Sequence, residues 1–160
     1  MDVNLARWTM SSIAVYFKTV ADNLSITYFV EGVDERESDT MRVEHVELRV
    51  NGPYVRELSR NYWRVHIDVN ILLIDYMTMS TENAYDINQW GGEFLAAMTG
   101  TIPIYRLGAG VIDDDSLVGC LTQRTGISEP ARLIHFGQIS KEDRIRQAAV
   151  DGQFEMYLTI

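Results

Sequence analysis

Hydrophobic and polar positions alternate most clearly over YWRVHIDVNILLIDY, residues 62–76. Trp63, Val65, Ile67, Val69, Ile71 and Leu73 fall on odd positions, while Tyr62, Arg64, His66, Asp68 and Asn70 fall on even ones. Period two predicts a β-strand with one dry and one polar face. From Leu72 the even positions turn apolar as well, with Leu72 and Ile74, the pattern of a strand covered on both sides.

The rest of the chain divides by the same reading. Ala6, Met10, Ile13, Phe17, Val20 and Leu24 recur at spacings of four and three and predict an amphipathic helix from Val3 to about Asp22. Ser25–Glu31, rich in Ile, Thr, Tyr, Phe and Val, reads as a strand closed by Gly32, and 33–40 as a solvated loop. A weaker alternation over Met41–Val50 predicts a second strand that stops at the turn signal Asn51-Gly52-Pro53, which leaves 51–61 as a connection between antiparallel neighbours. Ser80 or Thr81 is placed to cap a second helix. Ala84, Ile87, Gly91, Phe94 and Met98 repeat along it until Gly100 and Pro103 end it. Gly91-Gly92 inside that helix costs about 1 kcal/mol per residue relative to alanine, so close packing against another backbone is expected there. Short strands follow at Leu117–Thr122 and Arg132–Phe136. The chain closes on a hairpin that turns at Asp151-Gly152, after which Phe154, Met156, Leu158 and Ile160 alternate with polar residues. The expected fold is a single α+β domain over residues 1–160, with two helices on a largely antiparallel sheet and a long protruding β-hairpin.

The protrusion follows from length. Thirteen strand residues at ~3.4 Å each would run about 44 Å, whereas a globule of this chain length is about 39 Å across. Its first half, with Trp63, Val65 and Ile67 on a dry face, would be an aggregation hazard in a lone subunit. A neighbouring copy repeating head to tail removes that hazard and closes a ring. Trp63, Val65 and Ile67, with Arg64, His66, Asp68 and Asn70 on the other face, are therefore the candidates for a subunit interface.

Composition narrows the function. Of 160 residues, 23 are Asp or Glu and 14 Lys or Arg, a formal net charge of −9. Such a surface is repelled at long range by nucleic acid and anionic membrane, yet it suits a channel through which DNA passes without adhering. The lone Cys120 has no intramolecular partner, MDVNLARW lacks the features of a signal peptide, and the longest apolar run, ILLI at 71–74, falls far short of a membrane span. A reducing cytoplasm is the expected compartment.

Candidate chemistry is sparse. His66 and Asp68, two apart on one strand face with Arg64 and Asn70, have the residue types of an acid/base cluster, but alternating charges on a strand face more often solubilise it or meet a partner. Asp113–Asp115 beside Ser116 offers hard oxygen ligands without the spacing of a calcium loop. Cys120 in LVGCLT reads as a small buried hydrophobe rather than a nucleophile partnered by His135, which reads as a core or sheet residue. Gly108-Ala109-Gly110 lacks the third glycine and following helix of a phosphate cradle. Trp8, Trp63 and Trp90 fit core positions, and no metal or cofactor is expected. A small soluble enzyme using His66, Asp68 or Cys120 is the alternative class.

Taken in order, the N-terminal helix, the strand ending at Glu31-Gly32, the hairpin around RVEHVELRV and YWRVHIDVNILLI, the second helix, IPIYRLG, LVGCL, LIHFGQI and DRIRQAAVDGQFEMYLTI resemble the tail terminator proteins of long-tailed bacteriophages. The resemblance covers nearly the whole chain and rests on element order. It implies a virion structural protein without catalytic residues, located in the neck. Such a protein forms a ring, typically a hexamer, that caps the tail tube, stops its polymerisation and joins it to the head-side connector. The implied partners are other copies of the chain, the tail tube protein and the head-tail connector protein, with DNA passing through the lumen and Asp113, Asp114 and Asp115 as lumen-facing candidates. Another neck or minor tail protein of the same virion fits the same features.

Overall fold

The computed structural model describes residues 2–34, 44–76, 85–106, 116–138 and 145–159. In chain order the elements are α1 (Leu5–Asn23), β1 (Thr27–Val30), β2 (His45–Ser59), β3 (Tyr62–Tyr76), α2 (Asp86–Met98), β4 (Ile102–Tyr105), β5 (Leu117–Gln123), β6 (Ala131–Gln138) and β7 (Ile145–Thr159). The class is α+β, as the periodicity predicts. Among the described residues the strands form a seven-stranded sheet ordered β1-β2-β3-β7-β5-β4, with β6 beside β7, and every pairing is antiparallel except that of β1 with β2.

β3 lies at the centre of this sheet. It pairs with β2 on one side and, over its whole length from Tyr62↔Thr159 to Tyr76↔Ile145, with β7 on the other. Its odd residues enter the core: Val65, Ile67, Ile71 and Leu73 are fully buried and cluster with Ile13 and Phe17 of α1 and Phe94 and Met98 of α2. Each such side chain contributes about 1.5–3 kcal/mol of burial. Trp90 is buried, and Trp8 and Trp63 pack partly buried against the same cluster. The dry face of β3 is thus covered by the chain's own helices, and the expectation that Val65 and Ile67 stand exposed for a neighbour is corrected. Periodicity identifies a dry face but not what covers it.

Two predicted turns are strand. β2 does not stop at Asn51 but runs to Ser59, and the reversal is made at Arg60 and Asn61, where Asn61 takes the left-handed conformation (φ 62°) that asparagine tolerates. Gly52 and Pro53 are absorbed in a bulge, two residues opposite one between Asn51↔Asp68 and Tyr54↔His66. A proline is tolerated there because β1 pairs β2 only as far as Leu48. Asp151-Gly152 is likewise mid-strand in β7, opposite Asn70 and Val69 of β3 and Arg132 and Ala131 of β6. Here glycine serves packing. A Cβ on Gly152 would lie 2.6 Å from the Met98 sulfur and 2.9 Å from the Phe154 ring, so its absence lets α2 sit close to the sheet.

The helices also differ in detail. The buried side of α1 is Leu5, Thr9, Ser12, Ile13, Phe17 and Ala21, with Ala6 exposed. The two hydroxyls are tolerated because Thr9 donates to the Leu5 carbonyl (2.7 Å) and Ser12 accepts from the Tyr105 amide (3.0 Å). In α2, Gly91 makes room for the Leu133 side chain of β6 rather than for a backbone, and Gly92 faces open space. The capping residues Ser80 and Thr81 lie outside the described residues.

Candidate functional site

The even residues of β3 build the opposite, polar face of the sheet. Register places Arg64 between Arg56 and Tyr157, His66 between Tyr54 and Glu155, Asp68 between Asn51 and Gln153, and Asn70 between Arg49 and Asp151. Arg64, His66, Asp68 and Asn70 are all half-buried. The sequence-predicted polar residues therefore do share one surface, and β7 contributes its second half.

Glu155 is a deeply enclosed charge on this face, 2% exposed. Arg64 grips one carboxylate oxygen with Nη2 at 2.6 Å and Nε at 2.9 Å. Thr125 donates to the other from its backbone N–H (3.0 Å) and hydroxyl (2.8 Å). Burial pushes this carboxyl's pKa up, but the bonds from Thr125 and Arg64 together outweigh burial and hold it below the ordinary glutamate range. Farther along, the Asn70 amide donates to Asp151, which Arg132 approaches at 3.3 Å. His66 Nε2 lies 3.0 Å from Asp68 Oδ1, with the Tyr54 ring 5.6 Å from the imidazole.

Two concavities open on the face. A groove of about 700 Å³ runs past Arg49, Asp68, Asn70, Glu129, Arg132 and Asp151, and a hollow of about 180 Å³ near the hairpin end is lined by Tyr54, Val55, Arg56, Arg64, His66 and Arg124. At the other end of the ladder, Glu47, 2% exposed, meets His45 and Arg49 at 3.3 Å each, and the fully buried Asp75 pairs with Arg146 at 2.7 Å. The Glu44 carboxyl is pushed up there, first by burial and then by Asp75 and Asp86, against the opposing Arg146.

Several residues of this surface escaped the sequence reading: Glu155, Thr125, Arg124, Asp151 and Arg132. The signal for β7 was present, since Gln153, Glu155 and Tyr157 alternate with Phe154, Met156 and Leu158. The false turn at Asp151-Gly152 hid that this alternation runs beside β3. Cys120 is exposed rather than buried, as is His135. Registers hold them apart, because Thr122 is opposite Glu155 while His135 is opposite Ala148, seven residues or ~24 Å along β7. Asp113–Asp115 and Gly108-Ala109-Gly110 lie outside the described residues.

Chemically, the face is a set of paired charges and open donors. Beside its Asp68 neighbour, His66 shares its hollow with a tyrosine, a valine and three guanidiniums. Among the described residues no cluster of three His, Cys, Asp or Glu side chains is placed to hold a metal ion, and no helix is long and apolar enough to cross a membrane. Compared with known proteins, the chain matches no family model and no curated protein.

Proposed function

We propose that this chain is a virion structural protein of a long-tailed bacteriophage: a tail terminator whose copies form a hexameric ring on the tail tube, stop its polymerisation and join it to the head-side connector. The observation that carries the reading is the long β2–β3 hairpin. Both strands have fifteen residues, and beyond Leu48 the outer edge of β2 has no strand partner among the described residues, with most of 51–59 exposed. An unpaired edge of that length is a hazard that an assembled neighbour removes, and head-to-tail repetition turns one such contact into a closed ring. The order of elements supports the family, and the net charge of −9 suits a lumen that DNA traverses without sticking.

The test is negative-stain electron microscopy of a lysate in which the reading frame is disrupted in the phage that encodes it. Overlong tubes lying apart from DNA-filled heads are expected. Intact virions would overturn the reading, and tubes of normal length left unjoined would move the protein to a neighbouring station in the neck.

A further inference from the structure

Charge is distributed unevenly along the β2–β3–β7 ladder. At the hairpin end, Arg56 and Arg64 stand directly opposite each other, and Arg124 lines the same hollow. Like charges directly across a strand pair destabilise it, so Arg56 costs the fold here while Arg64 serves it through Glu155. Glu155 neutralises Arg64, and among the described residues Arg124 Nη1 meets the uncharged Gln153 amide oxygen (3.2 Å). Arg56 is exposed, as is Arg60 in the turn. The aromatic rim is exposed too: Tyr54, Tyr62 and Tyr157, the last two stacked at 5.8 Å. Arg56 and the tyrosines, open to solvent beside a concavity that the half-buried Arg64 and Arg124 also line, have the composition of an interface centre.

The opposite end has the reverse charge. There the partly exposed Glu44 feels both Asp75 and Asp86; Asp75 is buried and paired to Arg146, which leaves Glu44 and the partly exposed Asp86 as the negative surface. From Arg64 to Asp75 is eleven strand residues, ~37 Å at 3.4 Å each. The two patches are too far apart to satisfy each other within one chain.

We propose that the basic hollow of Arg56, Arg64 and Arg124 docks the acidic end of a second copy of this chain, head to tail. The contact rests on the ring reading for its closed geometry and names the surfaces that would make that ring. A nucleic acid is the weaker occupant because the net charge of −9 repels a polyanion at long range, whereas the same excess of carboxylates supplies the complementary surface on every copy.

The experiment is a charge exchange in the full chain. Arg56→Glu and Asp86→Lys are prepared separately and followed by sedimentation velocity across concentration, at low and high salt. The unmodified chain is expected to self-associate in a salt-sensitive way, each variant to associate at least about tenfold more weakly, and an equimolar mixture to recover association, because an acidified hollow then meets a basic end. Circular dichroism confirms the fold of each variant; where a reversal does not fold, Arg56→Gln and Asp86→Asn replace it, with a smaller loss expected. A chain that stays monomeric at every concentration in low salt overturns the proposal, as does a mixture of the two folded charge-reversal variants that stays monomeric, or neutralised variants that associate as tightly as the unmodified chain. Binding of a single-stranded oligonucleotide by monomers, lost in Arg56→Glu, also overturns it and reassigns the hollow to nucleic acid. Recovery on mixing, alongside intact virions from the frame-disrupted phage, keeps the contact and removes the tail-terminator reading.

Discussion

Two carboxyl groups at opposite ends of the β3–β7 ladder meet burial in opposite ways. For both Glu155 and Glu44 the largest influence is loss of solvent, which favours the neutral acid. At Glu155 both oxygens receive donors, from Thr125 and Arg64, and the carboxyl stays ionised below its usual range. At Glu44 the near neighbours are Asp75 and Asp86, with Arg146 already paired to Asp75, and the carboxyl is pushed up. The supply of donors, rather than depth, decides the sign. Glu155 is settled by its own donors, whereas around Glu44 negative charge stays in excess.

The largest effects belong to the face beneath this contrast. Ile67 is fully buried on β3, between Arg64 and Asp68 in sequence but on the dry side. Ile67→Asp places a carboxylate where no water reaches and should cost about 4 kcal/mol or more, enough to unfold much of a marginally stable chain. Loss of the far-UV circular dichroism signal, or a collapsed thermal midpoint, is the expected result; a cooperative melt near the parent's would mean that this side is open. Next is Arg64→Met. It strips one oxygen of the buried Glu155 carboxylate of both its donors and should cost about 3 kcal/mol in chemical denaturation, whereas Arg64→Met combined with Glu155→Leu should cost less than the single change. Equal losses would show that the pair is not coupled.

A glycine pair gives a smaller contrast. Gly152→Ala forces its Cβ against Met98 and Phe154 and should destabilise by about 1–3 kcal/mol. Gly91→Ala meets only the ends of the Leu133 side chain, 2.8 Å away before it shifts, and gains about 1 kcal/mol of helix propensity, so its denaturation midpoint should stay near the parent's. Gly152→Ala without effect would mean that α2 packs farther from β7 than described.

These positions also show where sequence is readable. The odd–even pattern of 62–76, the stripe of α1 and the body of α2 are local facts, written in the spacing of Ile67, Phe17 and Phe94. Asn51-Gly52-Pro53 and Asp151-Gly152 carry equally strong turn chemistry, and both lie inside strands. What overrides them is nonlocal: an outer edge that has no strand partner among the described residues and so tolerates Pro53, and a helix whose Met98 needs the space above Gly152. The polar face was half legible for the same reason. Arg64, His66, Asp68 and Asn70 are neighbours on one strand. Glu155 and Asp151 join them only through a register with residues some eighty to ninety positions away, and Thr125 only through the loop that reaches over Glu155.

The contrast between the carboxyls is sharpened most by pH, with the smallest effects. Glu44 has a folded pKa above its unfolded one, so its contribution to stability is present below the unfolded value and is lost as pH rises through the folded one. Glu155 has a folded pKa below its unfolded one, so its contribution is present above the unfolded value and is lost as pH falls through the folded one. Glu44→Gln should therefore shift the denaturant midpoint slightly upward at pH 7 relative to the parent and lose that advantage near pH 4. Glu155→Gln should be clearly weaker at pH 7 and approach the parent as pH falls. The two difference curves run in opposite directions because Gln removes the titration while keeping the side chain's shape. Parallel curves would mean that burial alone governs both carboxyls, and the donors around Glu155 would then lose their claim to decide the sign.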